Sequence, residues 1–385
     1  MSQFKQNKQP TKTKQEIRYE NELVKRRYFD YLEQSKGFSK GSIDTYERAI
    51  LRWQDFSEET DFGLYSRKRG VDFKKWLADR DTRDGKKLTK SYQYDTLRKL
   101  RGFFEWLSKQ EGFRNRIQET DIDFLTLSKK ETQEARQQQR SKSPTMKQVK
   151  AVIESIEPRN EVDLRDRALI SFTLLTGARI SAIASLPMQA FDRNDEVVDQ
   201  NPKLNVKTKY SKQITTVLFS LEYKEPRQYF LEWYDYLANE RGFGSQDPIF
   251  PATKVDNGKE NISFYSTGKV DRTFWKNSGS ARKIFEKRFL SAGVPYFHPH
   301  TLRHLVVKEI MKIPLTEEQK KAISQNLGHS QVATTFGSYG YGQISEDRQV
   351  ELLKAIESGE IGDESKINLS EADLHRLAEV LKENK

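Results

Sequence analysis

Two short stretches in the C-terminal third decide how this chain is read: His298-Pro299-His300-Thr301-Leu302-Arg303-His304, then Leu327-Gly328-His329-Ser330 with Thr334, Thr335 and Tyr339 behind it. They hold four of the five histidines in 385 residues, and such clustering favours a site. His300 and His304 share one face of an expected helix, where a pair of histidines could hold a metal. Arg303 between them would repel a cation, no third ligand stands out, and the chain has no cysteine, so a metal centre is the lesser reading. The lack of cysteine also excludes disulfide scaffolds, iron–sulfur clusters and thiol nucleophiles. A phosphate site is the alternative. The net charge of +11 points the same way, to a polyanionic partner, nucleic acid before an anionic membrane surface.

Working outward, at about 150 residues per domain the chain has room for two or three domains. Residues 1–14 hold four lysines, no acid and no hydrophobic period, a flexible basic arm that could lie along a phosphate backbone or simply solubilise the chain. Residues 15–130 contain no proline and read as a helical domain. There Ser42 can cap a helix with Ile43, Tyr46, Ile50 and Trp53 on one stripe, and Thr89 precedes a second with Leu97, Leu100, Phe104 and Leu107. The polar stretch 131–143 ends at Pro144 and reads as a linker.

From 144 to 350 the pattern mixes periods. Helices are expected through Val149, Val152 and Ile153, over Arg165 to Leu175 with a stop at Gly177, from Glu222, and over Ala281 to Leu290. Leu204 to Val206 and Ile214 to Phe219 read as a hairpin around a basic turn, and Thr253 to Asn277 as an inserted loop. The expected class is mainly α with a small β-sheet, a helical domain followed by an α+β domain. Residues 351–385, nine acidic against five basic, form an acidic tail with a short amphipathic helix after Ser370. No apolar run reaches the roughly 20 residues of a membrane span and no signal-like segment opens the chain, so a cytoplasmic, nucleoid-associated protein is expected, with no membrane partner.

The two histidine stretches, taken with Thr176-Gly177-Ala178-Arg179-Ile180-Ser181, resemble in order and spacing the catalytic boxes of the tyrosine recombinase (phage integrase) family. The likeness runs over about 145–350, and the helical region before it is similar in layout to the family's core-binding domain. It implies site-specific cleavage and rejoining of double-stranded DNA through a 3′-phosphotyrosine, without cofactor or metal. It further implies self-association into a synaptic tetramer on DNA, with accessory DNA-bending proteins as further possible partners.

On that resemblance the site residues are Arg179, Lys209, His300, Arg303, His329 and Tyr339. The chemistry agrees: two guanidiniums can neutralise the charge that grows on the non-bridging oxygens, and a tyrosine ester conserves the energy of the broken phosphodiester. The family takes the leaving-group proton from a hairpin lysine, here Lys209 with Lys207 and Lys212 as alternatives. His300 is similar to the family's acid or base beside the second arginine, and His329 to the residue that hydrogen-bonds the phosphate. Two positions depart from the family pattern. Ala182 stands where an acidic residue usually follows the first arginine, and Tyr339 lies one residue beyond the common spacing, where Ser338 stands, with Tyr341 close behind. An integrase of a phage or other mobile element is the expected function. A chromosome-dimer-resolving recombinase, or a DNA-binding protein on a catalytically decayed scaffold, is the alternative.

Overall fold

The computed structural model describes residues 12–82, 84–136, 142–257 and 264–341, with scattered positions from 349 to 357; at 257, 264–265 and 338–341 it describes the backbone alone. The chain divides into two compact units, Met1–Gln139 and Arg140–Lys385.

In the first unit the helices start where side chains can take up the free amides. Thr13 and Glu16 form a capping box ahead of Lys14–Asp30, and the Thr89 hydroxyl accepts from the Tyr92 amide at the head of Lys90–Leu107. The helix expected to begin at Ser42 starts three residues earlier, as Lys40–Ser57 behind Ser39. Its Ile50 and Trp53 and the facing Leu97, Leu100, Phe104 and Leu107 are buried, as their spacing required. Trp53 meets Phe104 edge to face at 5.0 Å and Phe73 at 5.2 Å, so the core is largely aromatic. The stretch read as linker from residue 131 is helical at first, over Lys129–Arg136. Ser128 and Glu131 bond each other's backbone amides, Lys90 pairs with Glu131 at 2.6 Å, and Ala135 is buried. A capping box hidden in a polar sequence accounts for the difference.

The second unit is built around Glu161–Thr176, a helix buried on nearly every side. It ends at Gly177 in the left-handed conformation (φ 55°). Met146–Glu154 packs beside it, capped by Thr145 and Gln148, with Val149, Val152 and Ile153 in the core. Strands β1 (Phe191–Asp192), β2 (Val197–Gln200) and β3 (Ile214–Val217) form an antiparallel sheet in that order, with Val197 opposite Val217 and Gln200 opposite Ile214.

The hairpin therefore exists, but its first strand is β2 and not Leu204–Val206. Pro202 opens a 3₁₀ turn over Pro202–Leu204, and Asn205 follows at φ 62°, which bends the chain away from an extended path. The expected loop after Thr253 is also a hairpin, with β4 (Thr253–Asn257) antiparallel to β5 (Phe264–Val270). Buried Arg165 fastens one strand through the Thr253 hydroxyl (2.8 Å) and Pro251 carbonyl (3.0 Å), and the Glu161 carboxylate accepts from the Val270 amide (2.8 Å) on the other. Helices Glu225–Asp235, Gly279–Ser291, His300–Ile310 and Glu317–Asn326 complete the described part, followed by a π-helical segment, Thr334–Tyr341. The amphipathic helix expected after Ser370 lies outside the described residues. Among the described residues no helix is long and apolar enough to cross a membrane.

Candidate active site

Two glycines bring the three boxes together. A Cβ on Gly177 would stand 2.7 Å from Leu327 Cδ2, and a Cβ on Gly328 (φ 73°) would stand 2.5 Å from Ile214 Cδ1. The turn carrying Arg179 therefore lies directly on the turn carrying His329, which in turn lies on β3. Asn326 strengthens the second contact, since its side chain accepts from the Val217 amide at 2.7 Å and its carbonyl accepts from the Thr216 hydroxyl at 2.9 Å. The sequence gives no sign that Asn326 ties the last helical turn to a strand edge.

Arg303 lies on His300–Ile310 and is only 2% exposed. Its guanidinium donates to the Gly177 carbonyl at 2.8 Å, to the Leu327 carbonyl, and to His329 Nε2 at 2.6 Å. One buried cation thus crosslinks all three boxes. Arg179 differs. It is half-buried at the head of the short helix Ile180–Ile183, and among the described residues its guanidinium has no hydrogen-bond or ion-pair partner. Ala182, at the position where the family usually has an acid, is buried in the core and supplies no carboxylate to orient it.

Both neighbouring histidines are neutral at pH 7. Burial comes first in lowering His329 to about 3, and the Arg303 and Arg179 charges follow. His300, although exposed as a residue, is held at about 4 by dehydration of its ring and by His304, Arg303 and Arg179. Its ring meets that of His304 at right angles, 5.5 Å away, and its amide donates to His298 Nδ1. Both ring nitrogens of His329 are engaged, Nε2 by Arg303 and Nδ1 by the Thr335 hydroxyl at 2.8 Å.

The basic turn between β2 and β3 is held at its first residue. The Lys207 amide donates to Ser185 Oγ at 2.8 Å, just past Arg179's short helix, and the Lys212 charge is among those that lower His329. Lys209 Nζ lies over the Tyr210 ring, 4.9 Å from its centroid, and Tyr210 is almost fully exposed. Tyr339 belongs to Thr334–Tyr341, and its side chain is outside the described set. The structure therefore gathers Arg179, Arg303, His300 and His329, places the basic turn at their edge, and locates Tyr339 by its backbone alone. Two guanidiniums beside two neutral imidazoles suit a tetrahedral oxyanion. Among the described residues no group of three or more His, Asp or Glu side chains is arranged to hold a metal ion.

Comparison with known proteins gives the chain's family and fold. Residues 142–342 match the phage integrase family model. Tyrosine recombinase XerD of Vibrio vulnificus is 21% identical over 338 residues, which is 86% of this chain and 92% of that protein. Tyrosine recombinase XerC of Lactobacillus delbrueckii subsp. bulgaricus is 23% identical over 313 residues, covering 81% and 92%. Among solved structures, a lambda integrase dimer bound to a COC′ core site superposes at TM-score 0.55 with 14% identity, over 83% of this chain and 94% of that one. The XerH site-specific recombinase bound to a palindromic difH substrate superposes at 0.54 with 16% identity, over 91% of each. These structures share the fold.

Proposed function

The chain belongs to the phage integrase family and is a site-specific DNA recombinase of the tyrosine type, and on that premise we propose how its residues divide the reaction. Arg179 and Arg303 bind the scissile phosphate and offset the charge that grows on its non-bridging oxygens. The Tyr339 hydroxyl attacks phosphorus, the 5′-oxygen leaves, and a 3′-phosphotyrosine holds the strand until a second 5′-hydroxyl reverses the step. His300, neutral at pH 7, takes the tyrosine proton. A lysine of the turn 207–212 protonates the leaving oxygen. Lys212, whose charge acts on His329, has better support for this role than Lys209, whose ammonium rests on Tyr210, and Lys207, held by its backbone amide, is the alternative.

The observation that carries this reading is the convergence of the two arginines, the two histidines and the basic turn on one point. Double-stranded DNA is the substrate, and four copies acting on paired sites are proposed as the working assembly, with accessory DNA-bending proteins where the sites require them. We assign the protein to a phage or other mobile element, supported by the folded β4–β5 insertion and the acidic residues after 350. The similarity to XerC and XerD supports a second reading, resolution of chromosome dimers. The chemistry is tested with a nicked suicide duplex built from the DNA flanking the gene. Tyr339→Phe should abolish the covalent adduct and Tyr341→Phe should leave it; the reverse pattern moves the nucleophile to Tyr341. A direct repeat at an element boundary in the same flanks supports the mobile-element assignment, and its absence supports the resolvase.

A further inference from the structure

The basic turn at the edge of the site does not choose its own path. Residues 207–212 include two consecutive non-glycine residues in the left-handed region, Tyr210 at φ 59° and Ser211 at φ 50°, a conformation that their side chains disfavour. Tyr210 is almost fully exposed, and Lys207, Lys209 and Lys212 are exposed as well, so packing does not select that conformation. Locally, the Thr208 amide donates to the Val206 carbonyl at 3.0 Å and the Lys212 amide to the Lys209 carbonyl at 3.4 Å. Among the described residues one hydrogen bond ties 207–212 to a distant part of the chain, from the Lys207 amide to Ser185 Oγ at 2.8 Å.

Ser185 Oγ is a directed acceptor. The residue is buried and stands two positions beyond Ile180–Ile183, the short helix headed by Arg179. Its hydroxyl lies 3.0 Å from both the Ser181 and the Ala182 carbonyl oxygens. Carbonyls can only accept and the Lys207 amide can only donate, so the hydroxyl proton is turned to the helix and a lone pair is left for Lys207. The turn and the helix that follows Arg179 are thereby held together through one side-chain oxygen. A methyl group in its place would leave the Lys207 amide without its partner.

We propose that Ser185 is a positioning residue for protonation of the leaving 5′-oxygen: by holding the start of the turn 207–212 against the Arg179 helix, it keeps the donor lysine beside the phosphate that Arg179 binds. The proposal rests on the recombinase reading above. In that step the Tyr339 oxygen bonds to phosphorus, the bond from phosphorus to the 5′-oxygen breaks, and an ammonium proton of the turn passes to that oxygen, leaving a neutral amine. Ser185 does not touch the reacting atoms and acts through the lysine alone. Its loss therefore matters only when the leaving group needs a proton. Sulfur in place of the 5′-oxygen removes that need, because a thiolate is stable near neutral pH where an alkoxide is not.

The test uses the full chain and two nicked suicide duplexes, identical except that one carries sulfur in place of the bridging 5′-oxygen. Ser185→Ala should form the adduct about tenfold more slowly on the ordinary duplex, a part of what general acid catalysis supplies, and within about twofold of the wild type on the sulfur duplex, with unchanged affinity for a single site. Lys207→Ala and Lys212→Ala, run on the same pair, identify the donor as the variant with the larger difference between the duplexes. Adding Ser185→Ala to that variant should slow the ordinary duplex by less than about twofold more, since the group it positions is already gone. Equal slowing on both duplexes, no slowing on either, or a second full loss in the double variant overturns the proposal. Hydrogen exchange of peptides covering 204–213 should show the Lys207 amide exchanging about tenfold faster in Ser185→Ala, and unchanged exchange overturns the hold itself. If the wild type forms no adduct through Tyr339, the recombinase reading fails, while the exchange measurement still decides whether Ser185 holds the turn.

Discussion

Arg179→Ala and Arg303→Ala should look alike in a cleavage assay and unlike in a melt. On the proposed mechanism each removes a guanidinium from the phosphate, a loss of charge stabilisation on the order of 3 kcal/mol or more in the transition state. Only Arg303 also holds the protein together. Its removal leaves the Gly177 and Leu327 carbonyls and His329 Nε2 without their donor in a buried site. At about 1–3 kcal/mol for each buried group left unsatisfied, the gross cost is on the order of 3–9 kcal/mol. Part is recovered because a buried cation no longer has to be desolvated, so a net loss of about 3–4 kcal/mol is expected. For a unit of this size that corresponds to a fall in melting temperature of about 6–16 °C. Arg179 is half-buried and among the described residues has no partner to strand, so Arg179→Ala should melt within about 0.5 kcal/mol of the wild type. Thermal or urea unfolding of the two variants, followed by circular dichroism beside an adduct assay, makes the comparison. Equal melting of both variants with the wild type would refute the crosslinking role of Arg303, and a large loss from Arg179→Ala would mean that its guanidinium is structural.

Three further outcomes follow from the same geometry. Gly177→Ala or Gly328→Ala should destabilise the second unit by about 1–3 kcal/mol in a melt, since each places a Cβ at positive φ against Leu327 or Ile214. Stability should hold above about pH 7 and decline as pH falls from about 6.5 towards 3, because the unfolded His329 binds a proton that the folded ring at about 3 refuses; the loss is on the order of 3 kcal/mol by pH 4, and His329→Gln should flatten that slope in urea titrations. Cleavage of the suicide duplex should persist in EDTA, because guanidiniums supply the charge a metal would; activity lost in EDTA and restored by magnesium would contradict the arginine mechanism.

Periodicity made the helices legible. Stripes such as Leu97, Leu100, Phe104 and Leu107 stand at steps only a helix satisfies, and the caps at Thr89 and Thr145 mark their starts. The strands are harder to read, because β2 and β4 are short, while Leu204 to Val206 is taken up by a 3₁₀ turn that Pro202 opens and by Asn205 at positive φ. The arginines and histidines were legible because the boxes that carry them resemble those of a known family, and the fold brings those boxes together. Ser324 and Asn326 were not: a serine and an asparagine in a polar helix carry no mark of their partners, which come from the Thr334–Tyr341 segment and from β3 through tertiary contact.

The unequal lives of the two arginines give the site a physical logic. A cation aimed in advance by protein acceptors costs no reorganisation when charge develops, and Arg303, fixed by two carbonyls and a lone pair, meets that condition. A second cation held as tightly would raise the desolvation cost of the site and leave nothing mobile to follow the phosphorus as its geometry changes. Arg179 has no such acceptors among the described residues, and Ala182 supplies none: a carboxylate in its place would draw the guanidinium into an ion pair and would have to enter the core to do so. Ala182→Asp should therefore either order Arg179 or, because the position is buried, lower stability by several kcal/mol. A variant that melts like the wild type and cleaves faster would show that the missing acid is a lost orienting group, and one that melts like the wild type with unchanged cleavage would show that Arg179 needs no such group.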